Sequence, residues 1–162
     1  MKKILLLLVA VLMISCTGTA QKEVKNEKKE FAVTKTNKEW KEILTNEQYY
    51  ILRQAGTERP HSSPLNKTYA DGTFSCAGCN TPLYKSEHKF DSGTGWPSFD
   101  RAVKGNVSVD VDHKLGYART ELLCNTCGGH LGHVFNDGPR ETTGKRHCIN
   151  GDALIFEPKT VN

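Results

Sequence analysis

Two pairs of cysteines constrain this chain more than any other feature. Cys76-Ala77-Gly78-Cys79 and Cys124-Asn125-Thr126-Cys127 are C-x-x-C pairs with 44 residues between them. Four thiolates arranged this way suit a closed, tetrahedral zinc site, and each pair has a glycine in or just after it (Gly78, Gly128), as a tight knuckle requires. The separation is longer than the roughly 15–20 residues of a simple zinc ribbon. The knuckles therefore belong to hairpins far apart in sequence, and a metal there would staple two parts of one domain, adding several kcal/mol of folding energy. Two other fates compete. In an oxidising compartment the four could form disulfides, and each pair could be a thioredoxin-like redox couple, although neither has the βαβ context. His130, three residues after Cys127, is a substitute ligand of lesser weight.

The length of 162 residues allows one domain. The net charge of +4 is too mild and too evenly spread to argue for nucleic acid. Two short helices are expected at the front: one from Lys38 to Leu44 with Asn37 as N-cap, and one through about Gln54. The second is announced by the capping box Thr45/Gln48 and ended by Gly56, with Tyr49, Tyr50, Ile51 and Leu52 packing. After Pro60 the chain breaks into short segments around Phe74, Phe90, Val107–Val111, Tyr117–Leu123, His133–Phe135 and His147–Phe156, separated by Gly, Pro, Asp and Asn. The run Val107 to Asp112 alternates strictly, as a strand with one wet face does. The expected fold is mainly β, an antiparallel two-sheet or barrel-like domain over 38–162.

The N-terminus reads as an address. Met1-Lys2-Lys3, an apolar run from Ile4 to Ile14 and then Ser15-Cys16 match an export signal too short to span a bilayer comfortably. A cysteine directly after the cut resembles the lipobox of bacterial lipoproteins. The expectation is a signal peptide at 1–15, a lipidated Cys16, and a membrane-anchored protein facing the periplasm or cell exterior. Loss of Lys2 and Lys3 leaves +2. Residues 16–37 are rich in Lys and Glu and poor in apolar side chains, a composition that cannot offset its ordering entropy, so they read as a disordered charged tether.

One cysteine is left over. Cys148 lies in Arg146-His147-Cys148-Ile149-Asn150, an apparent strand in which Arg146, Cys148 and Asn150 share a face. A guanidinium at that distance favours thiolate, and a carboxamide can hydrogen-bond a reacting group. A second cluster, His130-Leu131-Gly132-His133-Val134-Phe135-Asn136-Asp137-Gly138-Pro139, offers proton donors. A third, Asp91-Ser92-Gly93-Thr94-Gly95-Trp96-Pro97-Ser98-Phe99, fixes an indole on a tight loop.

These three clusters and Cys124-x-x-Cys127, in this order, resemble the methionine sulfoxide reductase B family, over about Lys38 to Glu157. The resemblance implies reduction of methionine-R-sulfoxide in peptides or proteins by a thiol mechanism without a redox cofactor. It also implies a mainly antiparallel β fold and a structural zinc held by Cys76, Cys79, Cys124 and Cys127. By position Cys148 is the nucleophile, and Trp96, with Phe135, would pack the substrate methyl group. His130, His133, Asp137 and Asn150 would position substrate and water and help protonate the sulfoxide oxygen, and Arg146 would hold the thiolate. The partners implied are oxidised polypeptides and a thioredoxin-like or small-thiol reductant. Nothing suggests more than a monomer.

The chain departs from the family in two places. Many members carry a resolving cysteine where this chain has Thr94, so the Cys148 sulfenic acid should be reduced by an external thiol. His147 stands where a larger aromatic is common, which bears on pocket shape. Two non-family readings compete: a non-catalytic zinc module with an inert Cys148, and a disulfide oxidoreductase using the C-x-x-C pairs.

Overall fold

The computed structural model describes residues 30–160. The signal peptide, Cys16 and the tether up to residue 29 lie outside the described residues. Among those described, no helix is long and apolar enough to cross a membrane. Helix α1 spans Asn37–Ile43, and its cap is Thr36 rather than Asn37. The reason is reciprocity: Glu39 N donates to Thr36 Oγ1 at 3.3 Å and Thr36 N donates to Glu39 Oε2 at 2.7 Å. A cap at Asn37 would put Trp40 at the return position, which cannot complete the box. Helix α2, Asn46–Gln54, carries the expected box: Gln48 N donates to Thr45 Oγ1 and Thr45 N to Gln48 Oε1. The left-handed residue that ends it is Ala55, not Gly56. Gly56 answers a different need, because the Tyr50 ring lies against it and a Cβ there would come within 2.3 Å of that ring. Ile51 and Leu52 are buried as expected, whereas Tyr50 is half exposed.

The β architecture is two antiparallel sheets. One has order β2-β1-β9, with β1 Gly72–Cys76, β2 Pro82–Lys85 and β9 Leu154–Pro158. The other has order β3-β4-β8-β7-β6-β5, built from β3 Lys89–Phe90, β4 Ser98–Phe99, β5 Val107–Asp112, β6 Arg119–Cys124, β7 His130–Phe135 and β8 Arg146–Ile149. The expected single segment His147–Phe156 is in fact two strands in different sheets, broken by a 3-10 turn at Gly151–Ala153. Strands β2 and β4 have no counterpart in the pattern reading, since four and two residues give alternation too little length to register. Between the sheets Tyr84 stacks on Phe99 with centroids 4.3 Å apart, and Phe74 meets Phe99 edge-on at 5.1 Å. Trp40, Ile51, Leu52, Leu83, Leu122, Leu131 and Ile149 complete the core.

The alternation of β5 does not carry through to burial: Val107 packs against the core, but Val109, Asp110 and Val111 are all exposed. Asp112 turns a largely buried carboxylate toward its neighbours. As the outermost strand, β5 pairs only with β6, and helix α2 packs on β7, two strands further in, leaving the valines without cover. Of its polar residues, Asp112 is the one that meets the site, through His133. At the other end of the chain, the tether expected through residue 37 gives way earlier: Val33 N donates to Thr126 O at 2.9 Å and the Phe31 ring lies against Gly128, so 31–33 rest on the second cysteine knuckle.

Candidate active site

The four knuckle cysteines converge, with their sulfurs all within 4.8 Å of one another. Cys76 Sγ and Cys127 Sγ are 3.8 Å apart, and Cys79 Sγ and Cys124 Sγ 3.5 Å. A tetrahedron of sulfurs at about 2.3 Å from a central zinc has edges of about 3.8 Å, so the donor set fits that ion. The pairs come from opposite sheets, at the ends of β1 and β6, so a metal here ties the two layers together. The left-handed position in the second knuckle is Gly128 (φ +69°), but in the first it is Asn80 (φ +58°), not Gly78. Asparagine tolerates this region because its short side chain can satisfy local backbone groups. Arg53 buttresses the second knuckle by donating to Cys127 O at 3.0 Å and lying 4.8 Å from the Trp40 ring centre. All five described cysteines are free thiols.

Cys148 sits in mid-sheet. Ser98 on β4 and His133 on β7 are its register partners. A pocket of about 150 Å³ opens over it, walled by Thr57, Trp96, Arg119, Gly132, His133, Phe135, Cys148 and Asn150. A larger open hollow of about 480 Å³ lies at the far end of the three-stranded sheet, and its lining has no thiol, imidazole or aromatic ring. Gly132 must be glycine where β7 passes under β8, because a Cβ there would lie 2.0 Å from Cys148 O.

The pocket thus gathers Trp96, His133, Phe135, Cys148 and Asn150 from the predicted set. The other three stand outside its wall. Arg146 is buried, donates to Asp137 through Nε and Nη2, both at 2.9 Å, and lies over the Phe135 ring at 4.4 Å, with the Cys148 thiol close enough to raise its pKa. Asp137 thus makes its hydrogen bonds to Arg146, and its charge also pushes the Cys148 pKa up. His130 is buried, with Nδ1 2.5 Å from Glu121 Oε1 and Nε2 without a partner among the described residues. His133 meets Asp112 through Nε2, and Asp112 also accepts from Arg119 Nη2 at 3.1 Å. The two imidazole rings are 5.3 Å apart, edge to face. Asn150 is largely committed to the scaffold: Nδ2 donates to Leu131 O at 3.0 Å and Oδ1 accepts from Glu58 N at 3.0 Å. His147 lies on the opposite face, against Tyr84, with Nδ1 3.2 Å from the Tyr84 hydroxyl, so it shapes the core and not the pocket. Burial pushes its pKa down to about 4.

The thiol's electrostatics differ from the sequence expectation. Burial pushes the Cys148 pKa up and outweighs the opposing pull of Arg146 and the Thr94 hydroxyl, so the resting group is a thiol at neutral pH. Burial also lowers His133, against the pull of Asp112, leaving its imidazole neutral. Burial opposes ionisation of Asp112 as well, but its hydrogen bonds with His133, Lys114 N and Arg119 hold the carboxyl well below the usual range.

Residues missed by sequence reasoning are Asp112, Arg119 and Glu121, on the inward faces of β5 and β6, and Thr57 and Glu58, in the segment after α2. Only the alternation of β5 carried a trace of the first.

A free thiol thus lies at the floor of a small aromatic pocket, with the His133–Asp112 pair beside it and the four-cysteine cluster away from it. Residues 44–158 match the model of the SelR domain. The chain is 51% identical over 127 residues to the peptide methionine sulfoxide reductase MsrB of Agrobacterium fabrum, covering 78% of this chain and 93% of that one. It is 52% identical over 128 residues to the protein of the same name from Leptospira interrogans, covering 78% and 97%. It is 47% identical over 123 residues to a probable methionine-R-sulfoxide reductase B of Caenorhabditis elegans, covering 75% and 81%. The chain belongs to the methionine sulfoxide reductase B family and is an oxidoreductase of that type.

Proposed function

We propose that the chain reduces the R epimer of methionine sulfoxide in peptides and proteins through a sulfenic acid on Cys148. The observation that carries this reading is the pocket itself: Cys148 opens onto a space bounded by the Trp96 and Phe135 rings, with His133 as its register partner. Aromatic walls suit a thioether methyl and can lie close to sulfur.

A sulfoxide sulfur is a weak electrophile and its oxygen a poor leaving group, so attack and protonation have to be concerted. The resting protonation states supply this. Neutral His133 takes the proton from the Cys148 thiol as Sγ attacks the substrate sulfur, then delivers it to the sulfoxide oxygen. The sulfur–oxygen bond of the substrate breaks, the oxygen ends on Sγ, methionine leaves, and Cys148 has given up two electrons to become a sulfenic acid. Arg146 stabilises the thiolate character of the attacking sulfur, and Asp137 holds the guanidinium in place. Two external thiols then restore Cys148, releasing their disulfide and water. Thr94, whose hydroxyl bonds to Ser92 Oγ at 2.8 Å, offers no sulfur for an internal route. A zinc bound by Cys76, Cys79, Cys124 and Cys127 would supply structural cross-linking.

The site of action follows from the N-terminal residues: signal peptide removed, Cys16 lipidated, and the domain repairing oxidised exported proteins from a membrane anchor as a monomer. Turnover of a racemic methionine sulfoxide peptide with dithiothreitol tests the chemistry. Consumption of half the substrate, with the S epimer left over, is expected; complete consumption or none contradicts it. Incorporation of labelled palmitate that disappears in Cys16→Ser tests the anchor.

A further inference from the structure

The segment from Thr57 to Ser63, between α2 and β1, belongs to none of the motifs above, yet it spans the two parts of the site. His61 N donates to Gly95 O at 2.7 Å, gripping the loop that carries Trp96. Ser63 presses on Gly151, where a Cβ would lie 2.0 Å from its hydroxyl oxygen, gripping the turn that follows Cys148. Between them sits Glu58. Its carboxylate accepts from Gly151 N at 2.7 Å and from Asp152 N at 2.9 Å. Its own N–H donates to Asn150 Oδ1 at 3.0 Å, and its carbonyl accepts from Trp96 Nε1 at 3.3 Å. Its neighbour Thr57 is part of the pocket wall.

No salt bridge to Glu58 is found among the described residues. A half-buried carboxylate without a cation, spent on the two main-chain donors behind the catalytic strand, is an expensive way to close a loop. The same residue holds an indole and a carboxamide that both line the pocket with Cys148. We propose that Glu58 is a positioning residue for sulfoxide reduction: through Trp96, Asn150 and the turn after Cys148 it sets the spacing of the pocket walls around the substrate sulfur. The proposal rests on the reaction described above.

The test compares wild type, Glu58→Ala and Glu58→Gln on a methionine-R-sulfoxide peptide with dithiothreitol. Three further readouts accompany the rates: zinc content, Cys148 alkylation at one alkaline pH, and the change in indole fluorescence on adding the sulfoxide peptide to Cys148→Ser forms. Of the two tryptophans Trp40 is buried in the core, so that signal reports Trp96. Misplacing pocket walls by a fraction of an ångström should lower kcat/KM by about tenfold to a hundredfold, with the larger part in KM. In Glu58→Ala the indole response should vanish while alkylation and zinc content stay unchanged. Glu58→Gln, with one acceptor oxygen left, should fall between. Unchanged kcat/KM in Glu58→Ala overturns the proposal, as does a loss that runs parallel to lost zinc and altered alkylation, the mark of a merely structural residue. If Glu58→Ala does not fold, the same readouts on Glu58→Gln decide. An inactive wild type would defeat the assigned reaction and the proposal together, whereas an active wild type matched by Glu58→Ala defeats the proposal alone.

Discussion

His133 and Cys148 are register partners on β7 and β8, so their side chains leave the same face of the sheet side by side. In the proposed reaction that adjacency would let one residue hand its proton to the other, and desolvation favours the neutral form of both.

Replacing Cys148 by Ser should reduce sulfoxide turnover to background while zinc stays at about one per chain, because the thiol and the staple share no ligand. Metal analysis beside the activity assay checks this. Residual turnover would place the nucleophile elsewhere.

The reductive step should have a bell-shaped pH profile in single turnover. Its acid limb reports His133, whose pKa is lowered, so rate rises as pH climbs through a value below the usual imidazole range. Its alkaline limb reports Cys148, whose pKa is raised, so rate falls only above the ordinary thiol range, when the proton needed at oxygen is gone. In Asp112→Asn the imidazole loses its anionic neighbour and the acid limb moves to still lower pH. A limb that moves upward contradicts the pairing.

Trp96→Ala should weaken substrate binding by about 1.4 kcal/mol, a tenfold rise in KM, with a smaller change in kcat. Steady-state kinetics separates the two. An effect confined to kcat would remove Trp96 from methyl recognition.

After one turnover without reductant, intact-mass analysis should show a single added oxygen and no internal disulfide involving Cys148. In Thr94→Cys the product should instead lose that oxygen as water, because the Thr94 side chain bonds to Ser92, which in turn bonds to Ser98, the register partner of Cys148. No disulfide in that variant would mean the loop is held too rigidly to close on Cys148.

Removing the metal by chelation, or replacing Cys127 by Ala, should lower the thermal midpoint sharply. The four sulfurs join the end of β1 to the end of β6, and structural zinc contributes folding free energy directly. Calorimetry of metal-free and reloaded protein is the check, and an unchanged midpoint would deny the cluster a structural role.

The sequence alone determined the chemistry-bearing groups. Two C-x-x-C spacings announced a four-cysteine cluster, the leftover Cys148 stands as a free thiol, and the Thr45/Gln48 box placed a helix start, because each depends on residues close together in the chain. Tertiary structure decided which of them meet. Asp112 and Glu121 look like solvated strand carboxylates until β5 and β6 fold beside β7 and hand them to His133 and His130. Glu58 lies more than ninety positions from the turn that it holds, so no local pattern could link the two. The charge state of Cys148 was likewise undecidable from its neighbours in sequence. Arg146 argues for thiolate, but desolvation is a property of everything packed around the sulfur, and here burial wins.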